Sequence, residues 1–206
     1  MTKRIKALID KISEYDIVLD VGCDMALLGE SLARLGIKSY ASDIRENIVT
    51  NAKKRIENLG LSSYITFFVS DGVKDIDVFV DTLVIAGMGT HNILDIISNS
   101  NKSYKKIITI SNNNHDILRK EMIKFGYYAS LEEIIYEKGK YYNLIVFEKG
   151  KYKYSKVELI VGINHINKEL LKQKNEYLIN KYKKVYKESN NEGIKELIEI
   201  LKKYNY

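Results

Sequence analysis

The segment Asp20-Val21-Gly22-Cys23-Asp24 closes an apolar run that begins at Ile17, and a helix-patterned stretch follows it directly. A strand-to-helix turn at the carboxyl edge of a sheet is where α/β folds bind nucleotides. Gly22 lets a ligand approach the backbone closely, and Asp20 can accept a hydrogen bond from an ammonium group. Two later strand ends carry similar chemistry. Ser42-Asp43 places a carboxylate about 20 residues after the first glycine turn, where a Rossmann-like fold holds a ribose hydroxyl. Ser70-Asp71-Gly72 places another where an adenine amino group could donate to it. Each acid alone is a common helix cap or turn residue. Three acid-bearing strand ends in order are far less common, and they favour an adenosyl ligand. There is no G-x-G-x-x-G, since the glycine after Gly22 is Gly29, so the turn is poorly suited to a pyrophosphate. A cofactor without phosphates, S-adenosylmethionine, fits better.

Other residues with chemical potential read as structural. Cys23 could be a nucleophile, but no proline precedes it and the chain contains none, so a small loop side chain is the better reading. His91, His115 and His165 lie far apart, and the first two sit at expected helix starts, so no metal site is expected. Met25 and Met88 suit pocket walls or packing.

Strands alternating with helices must position these turns. Strands are expected at 17–21, 38–43, 65–69, 80–86 and 107–110, and helices at 27–35, 45–59, 91–98 and 115–125. That alternation implies a parallel sheet covered on both faces. Residues 127–137 and 141–148 are separated only by Lys138-Gly139-Lys140, too short for a parallel crossover, so they form a hairpin. A mostly parallel α/β sheet with an antiparallel closing hairpin is the pattern of the Rossmann-like class I methyltransferase fold. From about residue 166 the period is helical: Leu171, Leu178 and Val185, then Ile194, Leu197, Ile198 and Leu201 after a polar break. These read as a C-terminal helical hairpin whose apolar stripes pack on each other.

Composition bounds the rest. With 206 residues, 45% hydrophobic and 29% charged, the chain can bury a core and is not a disordered polyelectrolyte. No apolar run is long enough for a bilayer, and the basic start lacks an apolar signal core, so a cytoplasmic location and no membrane partner are expected. One cysteine allows no disulfide framework. The charge is segregated. Residues 1–150 hold 20 basic and 20 acidic side chains, whereas 151–206 hold 13 and 7, so the tail carries the whole +6. Seven of the 16 tyrosines lie there too, Tyr152, Tyr154, Tyr177, Tyr182, Tyr186, Tyr204 and Tyr206. Two units are expected: a cofactor-binding domain over 1–150 and a basic, coiled-coil-like tail over 151–206, suited to RNA phosphates and bases.

The fourth strand end, Leu83-Val84-Ile85-Ala86-Gly87-Met88-Gly89, makes the resemblance specific. Together with the D-x-G-x-D and S-D-G turns it resembles the bacterial tRNA (adenine-22-N1)-methyltransferase family, TrmK. Lys3-Arg4-Ile5, Ser111-Asn112-Asn113, Leu118-Arg119 and Gly139-Lys140-Tyr141-Tyr142 resemble that family's opening, strand-end, helix and hairpin segments. The resemblance covers essentially the whole chain. It departs at Met25, where the family pattern has a histidine, at Thr90 in place of a glycine, and at Asn143 in place of a glutamate.

The resemblance implies methyl transfer from S-adenosylmethionine to N1 of an adenine in tRNA. That nitrogen already carries a lone pair, so in-line positioning and stabilisation of a cationic product suffice. Asp24 is the candidate for the second task. Asp20, Gly22, Cys23, Asp43, Ile44, Asp71, Gly72, Ala86 and Gly87 would hold the cofactor, and Arg4, Met88, Gly89, Asn112 and Tyr142 the substrate. Methylation at N6 would call for a proline-bearing loop that this chain lacks. The sequence leaves the oligomeric state open, a monomer being favoured. Two rival readings stand beside this one: a methyltransferase for a non-RNA substrate, and a degenerate, non-enzymatic RNA-binding protein of the same fold.

Overall fold

The computed structural model describes residues 1–204, so Tyr206 lies outside the described residues. In chain order the elements are α1 (Lys3–Ile9), β1 (Val18–Val21), α2 (Leu27–Arg34), β2 (Ser39–Asp43), α3 (Glu46–Asn58), β3 (Ile65–Val69), β4 (Thr82–Met88) and α4 (Thr90–Ser98). They continue as β5 (Lys106–Ser111), α5 (His115–Met122), β6 (Tyr127–Glu137), β7 (Lys140–Lys149), α6 (Lys156–Val161), α7 (Lys168–Ser189) and α8 (Glu192–Lys203). The seven strands form one sheet in the order β3-β2-β1-β4-β5-β7-β6. The first five pair in parallel and the β6–β7 hairpin joins β5 antiparallel. This is the expected class I methyltransferase sheet.

Alternation along the strands divides the core between the two faces. Leu83, Ile85, Ile107, Ile145 and Phe147 pack with Ile93 and Ile97 of α4 and Leu118 and Met122 of α5. Val84, Ile108, Leu144 and Val146 face Leu8 of α1 and Leu28 and Leu32 of α2. Each large aliphatic side chain buried there contributes roughly 1.5–3 kcal/mol. Most boundaries differ from expectation by a single residue, and the larger differences are at β4, which starts at Thr82, and at α5. β4 runs on through Gly87 to Met88, with a register shift between Ala86 and Met88, and α5 ends at Met122 before a single 3-10 turn over Ile123–Phe125.

Two helices escaped the sequence reading because each is too short for a hydrophobic period. α1 is started by Thr2, whose hydroxyl accepts the Ile5 N–H. α6 is started by Ser155, which forms a reciprocal capping box with Glu158. The tail is accordingly a three-helix cluster: Val157, Ile160 and Val161 of α6 join the apolar stripes of α7 and α8. Among the described residues no helix is long and apolar enough to cross a membrane.

A buried ion pair fastens this cluster to the sheet. The Arg119 guanidinium on α5 donates to both Glu132 oxygens on β6, at 2.7 and 2.6 Å, and to the Leu159 carbonyl of α6 at 2.6 Å. Glu132 also accepts the Ile163 N–H at 3.1 Å. The chain passes so close that a β-carbon on Gly162 (φ +95°) would meet the Glu132 carboxylate at 2.6 Å. Only glycine suits that position.

Candidate functional site

Strand order reverses at β1, which has β2 on one side and β4 on the other. Helices after these strands leave on opposite faces, so a crevice opens at their carboxyl ends, the general ligand site of such sheets. Here it is a cavity of about 840 Å³. Its lining includes Asp20, Gly22, Cys23 and Asp24 from the first turn, Asp43 and Ile44 from the second, Asp71 and Gly72 from the third, and Ala86, Gly87 and Met88 from the fourth. Four segments spread over nearly 70 positions meet in one place.

Asp20 is nearly buried at the end of β1. Burial first, and then the like charge of Asp43, push its carboxyl up to about 7. No hydrogen-bond donor among the described residues offsets them. Asp43 differs: its carboxylate accepts the Arg45 backbone N–H at 3.0 Å and the Arg45 Nε at 3.1 Å. Gly22 sits at φ +76°, and a β-carbon there would lie 2.2 Å from the Met88 methyl, so the first turn and the β4 end touch only because this residue is bare. Asp24 is exposed on the rim in a left-handed conformation, φ +47°, and Ala26 follows at φ +53°. Asp71 also lies at the rim, paired with Lys74 at 2.7 Å. Cys23 is buried, and its thiol is pushed up to about 12 by burial and the surrounding carboxylates, which removes it as a nucleophile.

Of the expected substrate residues, Arg4 and Met88 line the cavity, whereas Gly89, Asn112 and Tyr142 do not. Gly89 caps α4. Asn112 donates its side-chain amide to the Gly87 carbonyl at 2.8 Å and so fixes the β4 end from outside. Tyr142 lies beneath Arg4, whose guanidinium carbon is 4.5 Å from its ring centroid. Arg4 Nε also donates to Glu137 at 2.8 Å, pinning α1 to the hairpin tip. The sequence reading missed the α1 wall (Thr2, Ile5, Leu8) and the α4 wall (Asn92, Asp95, Ile96, Asn99). A helix after a strand end at this crevice is a signal that could have found α4; the Thr2 cap was the signal for α1.

A family model described as a methyltransferase domain matches residues 1–145. The chain belongs to that methyltransferase family. A tRNA (adenine(22)-N(1))-methyltransferase of Bacillus subtilis (strain 168) is 28% identical over 191 residues, which span 88% of this methyltransferase and 79% of that protein. A Streptococcus pneumoniae protein solved in complex with S-adenosyl-L-methionine superposes with a TM-score of 0.91 at 26% identity, covering 100% of both chains. M. capricolum TrmK, solved with S-adenosyl-homocysteine, superposes at 0.85 with 26% identity over 100% of this chain and 97% of its own.

The departures from the TrmK pattern can be located in the methyltransferase. The Thr90 hydroxyl is buried and lies 2.8 Å from Ser111 Oγ, and it donates to the Asn113 carbonyl at 2.6 Å, away from the cavity. It ties α4 to the loop after β5, a structural gain where the family has glycine. Asn143 is buried opposite Ser111, and Met25 sits exposed on the cavity rim.

Proposed function

We propose that this methyltransferase moves the methyl group of S-adenosylmethionine to N1 of an adenine in tRNA, acting in the cytoplasm. The observation that carries the proposal is the cavity at the β1–β4 crevice, where acids of graded exposure surround bare glycine backbone. The residues fit the cofactor part by part. Asp20, a buried carboxyl without a donor, suits the ammonium of the methionine moiety. Asp43, with lone pairs left beyond those Arg45 uses, suits the ribose hydroxyls. Asp71 at the rim suits the adenine amino group. When bound, the cofactor supplies an electrophilic methyl on a sulfonium. Arg4, held by Glu137 and Tyr142, forms the opposite wall, and Asp24 on the rim would stabilise positive charge developing on the methylated base. The relatives named above and the positive tail both favour tRNA over a small substrate.

The charge distribution adds direction. α7 carries seven lysines against three glutamates, four of the tail's six net charges. Two of the three lysines of α8 pair with its own acids, Lys195 with Glu192 and Lys202 with Glu199, whereas the salt bridges among the described residues include no lysine of α7. Lys174 is desolvated beside Arg119 and Glu132, and the other six lysines of α7 are exposed, so α7 is the helix that presents most of the tail's charge to phosphates.

The deciding experiment incubates unmodified tRNA with the protein and cofactor and analyses nucleosides by mass spectrometry. 1-Methyladenosine should appear, and its absence would sink the proposal. In the Asp24→Ala variant kcat should fall by tenfold or more while cofactor affinity stays nearly constant, because the carboxylate acts on charge that develops in the transition state. Full activity in that variant would remove Asp24 from the mechanism.

Asp20 makes cofactor binding depend on pH. The ammonium favours the ionised carboxylate, and in the free protein that form falls to about a tenth at pH 6, one unit below its pKa of about 7. Titration calorimetry should show an affinity about tenfold weaker at pH 6 than at pH 8, with proton release on binding. Asp20→Asn should bind weakly at both pH values and lose the slope. A wild-type affinity flat between pH 6 and 8 would contradict this role.

A further inference from the structure

Three tyrosine rings gather where the β6–β7 hairpin meets α7. Tyr136 and Tyr141 are cross-strand partners with ring centroids 4.7 Å apart, and Tyr141 lies 5.8 Å from Tyr177 of α7. Rings in such contact ordinarily bury one another, yet Tyr177 remains 56% exposed and Tyr136 40% exposed. The cluster stands at the same sheet edge as the cavity, since β7 runs from the hairpin tip past Asn143, which pairs with Ser111 at the carboxyl end of β5. Glu137, the neighbour of Tyr136, is the residue that holds Arg4 in the cavity wall. One short span of hairpin thus joins the aromatic surface to the site.

Positive charge frames the rings. Lys138 occupies the hairpin turn at φ +49°, a conformation in which asparagine or glycine is usual, and projects a charge from the tip. Lys140 follows it. On α7, Lys181 and Lys184 lie four and seven positions beyond Tyr177, continuing one face of the helix for roughly 10 Å. All four lysines are exposed. Of the nearby acids, Glu137 is matched by Arg4, and Glu176 lies near Tyr141.

We propose that Tyr136, Tyr141 and Tyr177 form a stacking platform for an unpaired base of the RNA substrate, with Lys138, Lys140, Lys181 and Lys184 holding the flanking phosphates. This rests on the tRNA reading above. Exposed aromatic faces accept any base, and lysines on both sides track the backbone, the combination by which proteins grip single-stranded nucleic acid. Base-paired N1 is inaccessible, so the target region must open, and a platform beside the cavity would hold a displaced neighbour.

The chain contains no tryptophan, which permits a direct test. Tyr177→Trp retains an aromatic face, and its emission should be quenched when unmodified tRNA transcript saturates the full-length protein. Tyr15→Trp, at an 83% exposed position before β1 on the opposite sheet edge, should stay bright and corrects for absorption by the RNA. Tyr177→Leu keeps apolar contact with Tyr141 but cannot stack. Its affinity for tRNA by fluorescence anisotropy or gel shift should fall roughly five- to hundredfold, while Tyr177→Phe stays near wild type. Melting temperatures within a few degrees of wild type would show that α7 remains docked. If wild-type protein binds tRNA, but Tyr177→Leu binds equally well and Tyr177→Trp is not quenched, the platform is wrong and the RNA reading survives. If the wild-type protein binds no tRNA, both fall.

Discussion

The Arg119→Met variant should melt roughly 6–20 °C below the parent protein, the shift expected when a chain of this size loses about 3–5 kcal/mol. Both side chains of the pair are fully buried, and the guanidinium makes three hydrogen bonds that join α5, β6 and α6. Methionine fills most of the volume but leaves the Glu132 carboxylate buried with only the Ile163 N–H among its former partners. Removing one ion of a buried pair is costly because the other is stranded in low dielectric. The Arg119→Met/Glu132→Gln double variant should recover more than half of the loss, since the neutral amide still accepts the Ile163 N–H. Thermal unfolding followed by circular dichroism measures both. A single-variant shift under about 3 °C would mean that the pair does not hold the tail helices to the sheet.

Asp43→Ala should weaken S-adenosylmethionine binding by a factor of roughly ten to a hundred, about 1.5–3 kcal/mol for a charge-assisted hydrogen bond. The carboxylate is nearly buried at the end of β2, preset by the Arg45 N–H and guanidinium, so little ordering is left to be done on binding. Alanine also frees Arg45 and removes the like charge that helps to raise the Asp20 carboxyl. The Asp20 titration should therefore move down in the variant, and the pH at which affinity is lost should move with it. Calorimetry at pH 6, 7 and 8 reports both effects. Unchanged affinity would place the ribose elsewhere.

Much of this molecule is local and therefore legible in the chain. Apolar runs ended by Gly22, Asp43, Gly72 and Gly87 mark strand ends because a glycine or a short acid is what a tight turn accepts. The three residues Lys138-Gly139-Lys140 force an antiparallel return whatever surrounds them. Leu171, Leu178 and Val185 mark a helix because the period itself is the signal. Turn chemistry and periodicity thus determined the sheet's parallel run, its closing hairpin, the helical tail and the acids of the candidate site.

The tertiary structure decided what depends on partners distant in sequence. Arg119 and Glu132 stand 13 residues apart and Leu159 a further 27 on, and they meet only because β6 lies outside β7 in the sheet and carries Glu132 under α5. Arg4 enters the cavity wall because Glu137, 133 positions later, ends the strand beside it. Tyr142 and Asn112 lie outside the cavity lining, Tyr142 on β7 under Arg4 and Asn112 in the loop after β5 bonded to the Gly87 carbonyl, placements set by contacts distant in sequence. The exposed lysines of α7, its desolvated Lys174, and the paired Lys195 and Lys202 of α8 look alike in composition. Ion pairing, burial and the raised carboxyl of Asp20 are properties of the assembled sheet, where a side chain's energy is set by its neighbours in space and no longer by its neighbours along the chain.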